Sequence, residues 1–135
     1  MKKNIVFICL LICFGCWSAQ ADTYNIKDFG AVGNGTHIDS EAINRAIQAA
    51  ASQGGGTVYV PAGIYACYSI RLESHIQLYV EQGATILGAF PTEAQGYDSP
   101  EPNEHNAYQD FGHSHWKNSL IWGIGLEDIT ISGPG

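Results

Sequence analysis

Aromatic and imidazole side chains gather in residues 88–119, a segment with three prolines and few strand-forming residues. Flat aromatic rings can stack on ring-shaped ligands such as sugars, and imidazoles can donate hydrogen bonds. An excursion of this length is typical of a functional or disordered loop. The candidates for ligand contact are Tyr108, His113, His115 and Trp116. The same aromatic density could equally form a small core that pins the segment to the rest of the protein.

Carboxylates able to act as a catalytic acid and base are not recognisable from their spacing. An inverting glycoside hydrolase, for example, needs two carboxyl groups about 6.5–9.5 Å apart, with a water molecule between them. Glu127 and Asp128 are adjacent, so on a strand their side chains would point to opposite faces. Glu101 and Glu104 lie in the irregular segment, where solvated surface charge is the simpler interpretation. We therefore assign no catalytic residue.

Metal-ligating side chains are sparse. His113 and His115 would share one face of a strand, with Asp110 as the close third ligand. Two imidazoles do not make a metal centre, so we predict no metal site and no cofactor. Cys67 is the single cysteine after residue 21, and we expect it to be a small buried apolar residue.

The charge balance excludes one class of partner. Lys2 and Lys3 account for two of the six bases, so the chain after residue 21 has four bases against 13 acids, a net charge of −9. Nucleic-acid binding needs a basic surface, and none is present. Five acids and one base fall within residues 88–119, a balance that repels polyanions. They are Glu93, Asp98, Glu101, Glu104, Asp110 and Lys117.

The first 21 residues have the pattern of a secretory signal peptide. Two lysines precede an apolar run at residues 5–14, and an Ala-Gln-Ala site ends at residue 21. This pattern predicts export and a secreted or periplasmic protein that begins at Asp22. A lipid anchor at Cys16 is the alternative. No second apolar segment is long enough to span a membrane.

One amphipathic helix is predicted over residues 39–52, with Asp39 as its N-cap. Glycines 54–56 would end it. Its apolar stripe is Ile43, Ala46, Ile47 and Ala50, and its predicted solvent-exposed face is Ser40, Glu41, Asn44, Arg45 and Gln48.

Short strands with alternating apolar residues follow from Thr57 onward, and residues 24–29 are predicted to form a strand before the helix. No two-residue Asn-Gly or Asp-Gly turn separates the later strands, which favours a parallel β-helix over a meander. A β-sandwich would show similar short strands. A single helix ahead of a solenoid would cover the apolar end and the unpaired edge of the first rung.

Four segments carry a family resemblance: FGA at 29–31, VPAGIY at 60–65, GAT at 83–85 and ITISGPG at 129–135. They resemble the pectin-lyase-like proteins, and within them glycoside hydrolase family 28, the polygalacturonases. The resemblance implies an all-β fold, a right-handed parallel β-helix with an N-terminal capping α-helix, truncated after the first few rungs. The implied organisation is a signal peptide at 1–21, a cap at 22–56, first rungs at 57–87, an insertion at 88–119 and a further rung at 120–135.

The resemblance also implies a function: inverting hydrolysis of pectic polysaccharide, either galacturonan or rhamnogalacturonan, by a protein expected to be a monomer at full length. The family's Asn-Thr-Asp, Asp-Asp and Arg-Ile-Lys segments are absent from this sequence. Its Gly-His pair occurs once, at Gly112-His113 inside the insertion. No catalytic residue can therefore be transferred, and paired Asp carboxylates are expected downstream of this chain. A pectin or pectate lyase on the same scaffold, or a non-catalytic β-helix that binds glycans, are the alternatives.

Overall fold

The computed structural model describes residues 22–102 and 116–135. Its strands form three parallel sheets, ordered β1-β3-β6-β9, β2-β4-β7 and β5-β8. In the first turn the chain passes from the first sheet to the second and then through the helix, and after the helix it passes through the first, second and third sheets in order, so the fold is the predicted right-handed parallel β-helix. The strands are β1 (Thr23–Asn25), β2 (Asn34–Ile38), β3 (Gly56–Val60), β4 (Gly63–Cys67), β5 (Ile70–Arg71), β6 (Ile76–Val80), β7 (Ala84–Gly88), β8 (Ile121–Trp122) and β9 (Thr130–Ser132), and helix α1 is Ser40–Ser52.

The alternation read from the sequence decides which side chains lie inside the solenoid. Val58 of β3 pairs in register with Leu78 of β6, and both are fully buried. Their neighbours Thr57 and Gln77 also pair, with side chains on the outer face. Parallel stacking of like residues therefore builds a continuous interior, to which the other sheets add Tyr65, Cys67 and Ile70.

Helix α1 closes the first rung, as predicted. All four residues of its apolar stripe are fully buried in the same core cluster as the strands. The predicted exposed face is wrong at two positions, because Ser40 is 3% exposed and Asn44 is 2% exposed. Ser40 Oγ accepts a hydrogen bond from the Tyr68 amide at 2.8 Å. The helix thus buries a polar row beside its apolar stripe.

Asn44 acts as a substitute for a strand at the open edge of β5. Its Nδ2 donates to the Ser69 carbonyl at 3.0 Å, and its Oδ1 accepts from the Arg71 amide at 2.8 Å. These are the two bonds that a residue in a neighbouring parallel strand would make on either side of Ile70. The side-chain amide satisfies both edge groups because it carries a donor and an acceptor.

Asp39 is the N-cap residue, as predicted, but its side chain makes no capping hydrogen bond to the helix. Its buried carboxylate instead accepts from the amides of Val32 at 2.8 Å and Gly33 at 3.0 Å, and it lies 2.9 Å from His37 Nδ1. Gly33 has φ +72°, a conformation that favours glycine. Asp39 therefore ties the glycine-rich loop to the start of the helix.

The predicted strand over residues 24–29 is shorter than expected. β1 ends at Asn25, and a 3-10 helix occupies Ile26–Phe29. The Asn25 side chain accepts a hydrogen bond from the Lys27 amide at 3.0 Å, which competes with continued strand geometry. None of the helices found in the described ranges has the length and apolar character that crossing a bilayer requires.

Candidate functional site

The described parts of the insertion, residues 88–102 and 116–119, lie against the outer face of the third sheet. Arg71 of β5 and Trp122 of β8 are register partners on that face. The Asp98 carboxylate contacts both: Oδ2 accepts from Arg71 Nε and from Trp122 Nε1, each at 2.8 Å, and Oδ1 accepts from Arg71 Nη2 at 2.6 Å. This bidentate pairing fixes one arm of the insertion to two successive rungs.

The electrostatics of this contact show what Asp98 does. The hydrogen bonds from Arg71 lower the pKa of Asp98, against the opposing effect of burial, and Trp122 lowers it further. The hydrogen bonds that Arg71 donates to Asp98 raise the pKa of Arg71. A general acid needs a carboxyl whose pKa is raised toward the working pH. Asp98 is shifted the other way, as expected of a carboxylate that holds the insertion in place through Arg71 and Trp122.

Further contacts pin the insertion beside Asp98. Ser69 Oγ accepts from the Asp98 amide and donates to the Ser119 carbonyl, both at 2.9 Å. Tyr97 donates to the Ala89 carbonyl at 3.0 Å, and its ring packs edge-on against Tyr68 with centroids 5.6 Å apart. Tyr97 therefore belongs to a small core that fixes the loop, the alternative left open by the sequence.

Trp116 is the one predicted contact residue that falls within the described ranges. It is 59% exposed and lines a shallow, mainly apolar groove of about 440 Å³ with Leu72, Trp122 and Ile131. An exposed indole beside a groove is a suitable surface for a sugar ring. Tyr108, His113 and His115 lie outside the described residues, so their role in substrate contact stays a prediction.

Two other carboxylates named in the sequence analysis, Glu101 and Asp128, make contacts with the protein itself. Glu101 accepts from the amides of Trp116 at 2.7 Å and Lys117 at 3.0 Å, and so joins the two arms of the insertion. Asp128 lies 3.2 Å from His75 Nδ1 in a turn on the surface. Glu104 and Asp110 fall outside the described residues. Within residues 22–102 and 116–135, no three His, Cys, Asp or Glu side chains are grouped to hold a metal ion.

Known proteins are similar to this chain in sequence and in architecture. The "Probable polygalacturonase" of Vitis vinifera is 30% identical over 119 residues, which cover 86% of this chain and 24% of the relative. Mannuronan C5-epimerase AlgE5 of Azotobacter vinelandii is 47% identical over 66 residues, 49% of this chain and 7% of the relative. The chain therefore spans less than a quarter of either curated relative.

A solved structure shares the fold over most of the chain. The family 28 exopolygalacturonase of Yersinia enterocolitica superposes with a TM-score of 0.63 at 27% identity, covering 86% of this chain and 20% of that protein. The family model described as rhamnogalacturonase A/epimerase, pectate lyase-like, matches residues 23–118. Because that match runs through the capping helix, the first rungs and the insertion, the chain belongs to the rhamnogalacturonase A/epimerase, pectate lyase-like family.

Proposed function

We propose that this chain is the N-terminal part of an exported, polygalacturonase-like glycoside hydrolase. Its substrate is pectic polysaccharide, galacturonan or rhamnogalacturonan, and the reaction is hydrolysis with inversion of the anomeric configuration. The observation that carries the proposal is the similarity to a polygalacturonase over 86% of the chain. The superposition on an exopolygalacturonase over the same share of the chain supports it.

The described residues would supply the scaffold and the substrate surface of such an enzyme. Inverting hydrolysis needs an acid and a base about 6.5–9.5 Å apart. The two carboxylates most enclosed by protein partners, Asp39 and Asp98, are already bound to loop amides and to Arg71. We therefore place the catalytic carboxylates in other parts of the full-length protein, and give Trp116 a role in substrate contact.

The acidic insertion is compatible with a pectic substrate because part of its charge is bound within the protein. Asp98 is ion-paired with Arg71 at 2.6 Å, and Glu101 accepts two backbone amides. Both interactions reduce the field that these carboxylates project toward a polyanion.

The test is an assay of the full-length secreted protein, expected to begin at Asp22 and to be monomeric. On polygalacturonate or rhamnogalacturonan it should release reducing ends, and proton NMR of the first product should show the inverted anomer. Products with the retained configuration would contradict the proposed mechanism.

A uronate epimerase or lyase is the second candidate, favoured by the 47% identity to mannuronan C5-epimerase AlgE5 over 66 residues. The same assay separates the three reactions. A lyase would leave an unsaturated, ultraviolet-absorbing end, whereas an epimerase would change sugar configuration without chain cleavage. Binding to polysaccharide without turnover would instead favour a glycan-binding surface protein.

A further inference from the structure

A pocket of mixed polar and apolar lining lies between helix α1 and the insertion, apart from the groove beside Trp116. It has a volume of about 290 Å³. Glu41 of the helix, Arg71 of β5, and Gln95 and Asp98 of the insertion contribute its polar wall, and Tyr68 adds an aromatic surface. Small-molecule pockets begin at about 300 Å³, so this one suits a single small ring and not an extended chain.

The pocket walls have unused hydrogen-bonding capacity. Arg71 commits Nε and Nη2 to Asp98, while its Nη1 lies 3.7 Å from Glu41 Oε1, beyond hydrogen-bond length. The Glu41 side chain is 67% exposed. A hydroxyl group placed between them could donate to the carboxylate and accept from the guanidinium at the same time. Gln95, which also lines the pocket, has a side-chain amide that carries a further donor and acceptor.

The charge of the pocket favours neutral ligands over negatively charged ones among those that carry hydroxyl groups. Glu41 and Asp98 oppose a single positive group, Arg71, which Asp98 already engages through both oxygens. The lining therefore carries two carboxylates and one guanidinium, so a ligand carboxylate would be repelled by the net negative charge, whereas a neutral polyol would not. Tyr68 is held in place by its hydrogen bond to the Phe90 carbonyl and by Tyr97. Tyr68 is 8% exposed, so it forms the floor of the pocket and offers a ligand only the edge of its side chain.

We propose that this pocket is an accessory binding site for a neutral pyranose unit, which it distinguishes from a uronate. The choice of a carbohydrate ligand rests on the proposed function, but the discrimination rests on the pocket alone. Such a site would bind a neutral sugar residue of a mixed polysaccharide away from the catalytic carboxylates.

The experiment measures binding to the full-length protein directly, without turnover. Methyl galactopyranoside and methyl rhamnopyranoside are titrated and followed by ligand-observed NMR, with methyl galactopyranosiduronate as the charged comparison. We expect the neutral glycosides to bind more tightly than the uronate, and Glu41→Ala to weaken them about tenfold. Gln95→Ala should weaken them in the same direction. Gln48→Ala, an exposed change on the same helix outside the pocket, should leave the affinity unchanged.

Two outcomes would overturn the proposal. One is neutral-sugar binding that is absent, or that is unchanged in both the Glu41 and Gln95 variants. The other is uronate binding that is as tight as that of the neutral glycosides and is weakened by the same Glu41 and Gln95 variants, which would assign it to this pocket and not to the catalytic cleft. Because hydrolysis is not measured, a protein that cleaves pectin but fails these titrations refutes the accessory site and leaves the proposed function standing.

Discussion

Replacing Asn44 tests whether a side-chain amide takes the place of a missing strand. Asn44→Asp keeps the acceptor for the Arg71 amide but removes the donor to the Ser69 carbonyl. It also places a carboxylate against that carbonyl at a position that is 2% exposed. Losing one buried hydrogen bond and burying a charge should together lower the free energy of unfolding by about 3 kcal/mol at pH 7.

The pH dependence makes this prediction specific. When the introduced carboxyl is protonated, it carries both a donor and an acceptor, so it can restore both bonds. The folded protein therefore favours the neutral form, which raises the folded-state pKa of the new carboxyl above its unfolded value. The stabilisation is fully present below the unfolded pKa, about 3.9, and is lost as pH rises through the folded pKa. The stability difference from the unmodified protein should thus be smallest in acid and largest at neutral pH.

The assay is urea unfolding of the full-length protein, followed by circular dichroism from pH 3 to pH 7. Gln48→Glu is the matched control, because it adds the same charge to an exposed position of the same helix. Two results would refute the strand-substitute role: an Asn44→Asp variant within about 0.5 kcal/mol of the control at pH 7, or a difference that grows as pH falls.

Three further experiments test other parts of the structure. Asp98→Asn should cost about 1 kcal/mol at pH 7, a value discounted for solvent screening. Since the pKa of Asp98 is lowered, that cost should shrink as pH falls below the ordinary carboxyl range and be lost only as pH falls through the lowered pKa, so unfolding curves should show a smaller cost at pH 3 than at pH 7. Burial raises the pKa of Cys67 to about 12, so iodoacetamide at pH 8 should label this thiol only after the protein unfolds. Mass spectrometry would detect the label. Gly33→Ala should cost about 2–4 kcal/mol, because the new Cβ would lie 2.7 Å from the Tyr65 ring at φ +72°. Gly54 has φ +91°, and no atom lies within 4 Å of the Cβ that an alanine would add there. Gly54→Ala should therefore show the backbone strain alone, and unfolding curves of the two variants measure the difference.

The sequence by itself determined the solenoid and its interior. Alternation along β3 and β6 predicted that Val58 and Leu78 point inward, and the apolar stripe of α1 predicted that Ile47 lies under the first rung. These features follow from local periodicity, since side chains alternate every two residues in a strand and repeat every 3.6 in a helix. The family motifs then selected the parallel β-helix from other folds with short strands.

Only the tertiary structure decided the roles of the polar residues. Asn44 and Ser40 resemble residues of an exposed helix face, and they are buried because the edge of the first rung passes beside them. Arg71 and Asp98 are 27 positions apart, and no local pattern indicates that they pair. Each case depends on which backbone groups or charges the folded chain brings together. A polar side chain can be buried where the fold supplies a hydrogen-bonding or charged partner, and for these residues that partner lies in a distant part of the sequence.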